Sequence, residues 1–91
     1  MRSKENLLKI ENRLFDIVWW NRHKVIEKEY KEKGEFPSKE LWDKALKNAE
    51  RIEKEIPLNE LLMDDFNWGM VNGKLSAIRW VLGDDWDNLG T

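Results

Sequence analysis

Residues 66–82 read FNWGMVNGKLSAIRWVL, and this stretch decides the fold. Placed on a wheel at about 100° per residue, its apolar side chains cover most of the circumference. They are Phe66, Trp68, Met70, Val71, Leu75, Ala77, Ile78, Val81 and Leu82. A helix apolar nearly all round is expected at the centre of a fold. Asp64 or Asp65 can cap its start, and Gly83 follows its end. The remaining edge is small: Gly69, Gly73 and Ser76. Glycine inside a helix costs about 1 kcal/mol against alanine. Two glycines four apart therefore predict close backbone approach by another element. Lys74 and Arg79 exclude a membrane span here.

Upstream, two further helices are expected. The second runs from Lys39 to Glu55 or Ile56, with Ser38 as its cap. Leu41, Trp42, Ala45, Leu46, Ala49, Ile52 and Ile56 fill one clean face, and Lys, Glu, Asp and Arg fill the other. The first runs from Ser3 to Lys33, between a capping serine and Gly34. It carries two apolar stripes, Leu7, Ile10, Leu14, Ile17, Val18 and Val25, then Leu8, Phe15, Trp19, Ile26 and Tyr30. Together they span roughly 220°, wider than one packing partner covers. Trp20 falls outside both, among Asp16, Arg13, Lys24 and Glu27. The expected architecture is all-α: one domain over 1–91, a compact three-helix bundle around an apolar C-terminal helix, closed by a short tail. Trp86 and Leu89 are expected to fold back from that tail as a clasp.

Composition agrees with a small globular chain. The 91 residues are 41% hydrophobic and 37% charged, with six tryptophans and a formal net charge of −2. Residues 1–58 carry 14 basic and 12 acidic side chains, and residues 59–91 carry 2 and 6. Neither part has the one-sided positive charge that phosphate backbones select, so nucleic acid is not an expected partner. No cysteine is present, no disulfide or thiolate chemistry follows, and the N-terminus lacks the apolar core of a signal peptide. A cytoplasmic protein that does not enter membranes is the simplest expectation.

Residues 68–91, WGMVNGKLSAIRWVLGDDWDNLGT, resemble the C-terminal signature of a family of short, functionally uncharacterised bacterial and archaeal proteins. Asp16 to His23, DIVWWNRH, is similar to the same family's N-terminal helix, and the two segments cover about a third of the chain. The resemblance implies a shared small helical fold and no activity, cofactor or catalytic residue.

Several residues invite chemistry. Gly69 to Lys74 has three residues between its glycines where a phosphate-binding loop needs four, and Leu75 stands where that loop needs Ser or Thr. Asp84, Asp85 and Asp87 lack the remaining ligands of a calcium loop, so no metal is assigned. His23, the only histidine, has Glu27 at the spacing of an orienting acid; it is either a general base or a boundary histidine bonded to a neighbour. Glu11, Arg22 and Glu29 fall between the stripes of the first helix, and Lys74 lies inside the apolar arc of the last. Charges are seldom buried unpaired, so these four reach solvent on long stems, form an internal ion cluster, or line a polar pocket.

The leading expectation is a helical interaction module that self-associates as a homodimer, with a larger protein as a further partner. Phe15, Trp19, Trp20 and Tyr30 are its candidate contact residues, since aromatic side chains anchor interfaces. The alternative is a small-molecule or enzymatic site around Lys74, Glu11, Arg22 and His23. An enzyme is the lesser expectation, and no cofactor is expected.

Overall fold

The computed structural model describes residues 1–84; the tail, with the expected clasp of Trp86 and Leu89, lies outside them. Among the described residues the chain is all helical: α1 (Lys4–Lys33), α2 (Lys39–Glu55), α3 (Leu58–Leu61) and α4 (Asp65–Val81). The capping residues fix the boundaries. Ser3 Oγ accepts from Asn6 N, Ser38 Oγ from Leu41 N, and Asp64 Oδ1 from Asn67 N at 2.8 Å. Gly34 and Gly83, with φ of 69° and 118°, close α1 and α4 in the left-handed region that glycine alone enters without strain. Ile56 leaves α2 in extended geometry just before Pro57, as the proline ring requires. No described helix is long and apolar enough to cross a membrane.

The described residues divide into two compact units, one of residues 1–18 with 63–84 and one of residues 19–62. α1 contributes to both. In the second unit, α2 buries Ala49 and Ile52, and Ile56 and Leu61 join them. Asn21 Nδ2 donates to the Leu61 carbonyl at 2.9 Å, tying the turn of α3 to α1. In the first unit the buried side chains are Ile17, Val18 and Leu75.

Which residues α1 buries changes between its halves. In the first unit Ile17 and Val18 are buried and Leu7 and Leu14 half-buried, all on the first apolar stripe. In the second unit the buried positions are Trp20 and His23, and Val25 and Ile26 of the apolar stripes are exposed. Trp20 therefore departs from its expected outward place. It is 4% exposed, and its Nε1 donates to Glu53 Oε1 at 3.1 Å. Lys24 lies over its ring at 5.4 Å and pairs with Glu53 at 3.5 Å. An indole is amphipathic, so it can enter a core from a polar flank when a carboxylate meets its N–H.

α4 also departs from expectation. It buries Leu75, half-buries Trp68, Val71 and Ile78, and turns its other apolar face outward. Phe66 is 74% and Met70 45% exposed, and Val81 is exposed too. The close approach expected at the small edge is absent among the described residues. A Cβ built on Gly69 or Gly73 meets nothing within 4 Å.

Candidate functional site

The four candidate site residues fall in two units. Glu11 and Lys74 belong to the first unit, Arg22 and His23 to the second. Lys74, Arg22 and Glu29 are exposed and Glu11 is half-buried. Among the described residues Glu11 and Lys74 form no ion pair within the first unit, Arg22 and Glu29 form none within the second, and Lys74 reaches solvent on its stem.

Arg22 and His23 do share a cleft. It lies in the second unit between the C-terminal half of α1 and the start of α2, with a volume of about 320 Å³. Its walls include Trp19, Ile26, Tyr30, Leu41 and Trp42. The local sequence explains the geometry. Trp19, His23, Ile26 and Tyr30 recur at three and four along α1 and so share one face. Ser38 starts α2 so that Leu41, Trp42 and Ala45 meet that face.

His23 is held between two indoles. Its ring stacks on Trp19 at 4.9 Å with an interplanar angle of 7°, and on Trp42 at 5.3 Å and 29°. Tyr30 meets Trp42 edge-on at 5.5 Å, and Phe36 contacts both rings. The His23 side chain is buried and its Nε2 has no hydrogen-bond partner; Glu27 Oε2 stands 3.9 Å away. Burial pushes the imidazole pKa below 6.5, against the smaller opposing pull of Glu27. Glu27 also faces Lys24 at 3.8 Å and Lys31 at 3.7 Å. A neutral imidazole with both faces covered and Nε2 buried is poorly placed to take a proton from a substrate, since a general base needs hydrogen-bond reach to it.

Of the candidate contact residues, Trp19 and Tyr30 are half-buried in the cleft wall and Trp20 is core. Phe15 is exposed, with the Arg79 guanidinium 5.4 Å from its ring centre. No group of three His, Cys, Asp or Glu among the described residues could hold a metal ion.

Sequence reasoning missed the cleft as such. The signal was present in the three-and-four spacing of Trp19, His23, Ile26 and Tyr30. What it lacked was the partner, because nothing in the first helix says that Trp42 closes over His23. No family model matches the chain, and neither a curated protein nor a solved structure does.

Proposed function

We propose that this chain is a helical protein-interaction module that self-associates as a twofold dimer through the outward face of α4. The observation that carries this reading is the apolar stripe left exposed on that helix. Phe66, Met70, Gly73, Ala77 and Val81 recur at three and four, all exposed. Monomeric soluble proteins rarely leave a contiguous apolar surface of this kind uncovered.

A second copy is the occupant that fits. The stripe contains no charged side chain, and Lys74 stands at its edge. The open space over Gly69 and Gly73 lets another helix approach closely, since interaxial distance follows the size of the side chains at the contact. A twofold axis places the same stripe on both partners, the commonest arrangement among soluble oligomers. The glycines, costly in a helix that needs only its own chain, then gain a role. Phe15 remains an exposed contact candidate in the same unit. A larger partner docking on the same stripe is a secondary form of this reading. The family resemblance of residues 68–91 adds only the expectation of a small helical fold.

Sedimentation velocity over a range of concentrations tests the proposal. The wild-type chain should move to a dimer boundary as concentration rises, and Ala77→Glu should stay monomeric with unchanged helicity. A wild-type chain that remains monomeric, or an Ala77→Glu chain that still dimerises, overturns the assignment.

A further inference from the structure

We infer that the cleft between α1 and α2 binds a small aromatic carboxylate, its ring against the cleft walls that Trp19, Tyr30 and Trp42 help to line and its carboxylate on Arg22. This stands apart from self-association, because the cleft and the α4 stripe belong to different units.

Size and lining point to a small ligand. At about 320 Å³ the cleft is at the lower end of small-molecule sites, which run from about 300 to 1,000 Å³. Such sites are mostly apolar with a few polar groups, and this one is lined by Trp19, Ile26, Leu41 and Trp42 with polar groups from Arg22, His23 and the Tyr30 hydroxyl. Flat walls favour a flat guest, because offset and edge-to-face contacts between rings add to the burial of their area.

Charge selects the rest. A cation would also be attracted to indole and phenol faces. However, no carboxylate lines the cleft, and Arg22 does. Arg22 is exposed and has no ion-pair partner among the described residues, whereas Lys24, Lys31 and Arg51 are all paired. A guanidinium offers a planar fork that matches a carboxylate in two hydrogen bonds. His23 is uncharged near neutral pH because burial lowers its pKa, so it adds no second cation. The ligand class that suits an aromatic-lined cleft with one unpaired guanidinium in its wall is a monoanionic aromatic acid.

The test uses phenylacetate, with phenylacetamide and phenethylamine as the neutral and cationic forms of the same shape. ¹⁵N-labelled full-length protein is titrated while the indole N–H signals are followed. Phenylacetate should shift the Trp19 and Trp42 signals saturably and leave Trp68 and Trp80 in place. Phenylacetamide should bind about tenfold more weakly, and Arg22→Gln should weaken phenylacetate by about the same factor. Arg22 is exposed and unpaired, so its replacement leaves the fold intact, which unchanged signals elsewhere would verify. Ala45→Phe, which fills the cleft, should abolish binding. No saturable shift with phenylacetate, equal affinity for the amide, tighter binding of phenethylamine, or unchanged affinity in Arg22→Gln each overturns the assignment.

Discussion

His23 is the residue whose environment departs furthest from its expected one. Buried with an unpartnered Nε2, it is tolerated as the neutral imidazole and penalised as the cation. Its folded pKa lies below 6.5, so between those two values the unfolded chain holds more protons than the folded one. Stability is then complete above the unfolded pKa and falls as pH drops through the window beneath it. Thermal unfolding followed from pH 7 to pH 5 should show a falling Tm before most carboxylates titrate. His23→Phe should remove that slope while keeping the stack between Trp19 and Trp42. A slope unchanged in the variant would place its origin elsewhere. Trp20 tests the other side of the same unit. Trp20→Ala should cost about 3–5 kcal/mol in denaturant unfolding, the range for emptying a buried aromatic site. A cost below about 1 kcal/mol would mean that the indole is peripheral.

At the scale of elements, termini were the most legible feature. Ser38, Asp64, Gly34 and Gly83 announce themselves by chemistry that acts within four residues, and each performs the expected task. The clean face of α2 was equally legible, because Ala49, Ile52 and Ile56 leave no alternative side to bury. α1 and α4 were not, for one physical reason. Each carries apolar residues on two faces, and a helical wheel gives the faces without saying which one finds a partner. The four-residue α3 after Pro57 is too short to show a period at all. Gly73 turns this into a measurement. With nothing within 4 Å of its added Cβ, Gly73→Ala at concentrations that keep the chain monomeric should stabilise it by about 1 kcal/mol through helix propensity. A loss of stability instead would show that something packs on that edge within the chain. Gly73→Leu should also leave the monomer folded, yet block the close approach a second helix needs.

For the whole molecule, the three-and-four spacing indicated an all-helical chain, and the wide apolar arc of the first helix indicated more apolar surface than its partners cover. Neither showed where the surplus stands. The first helix offered the widest arc, yet three of its four aromatic residues are taken up, Trp20 in the core and Trp19 and Tyr30 around the cleft, while Phe15 stays exposed. Exposed apolar side chains stand on several elements, and on α4 Phe66, Met70 and Val81 share the outward stripe that we assign to a second copy. Size-exclusion chromatography with in-line light scattering, at high micromolar concentration, addresses that claim most directly. The wild-type chain should elute with twice the 11.0 kDa mass of the chain, and Met70→Glu should return it to 11.0 kDa. A wild-type mass of 11.0 kDa at that concentration would contradict the account.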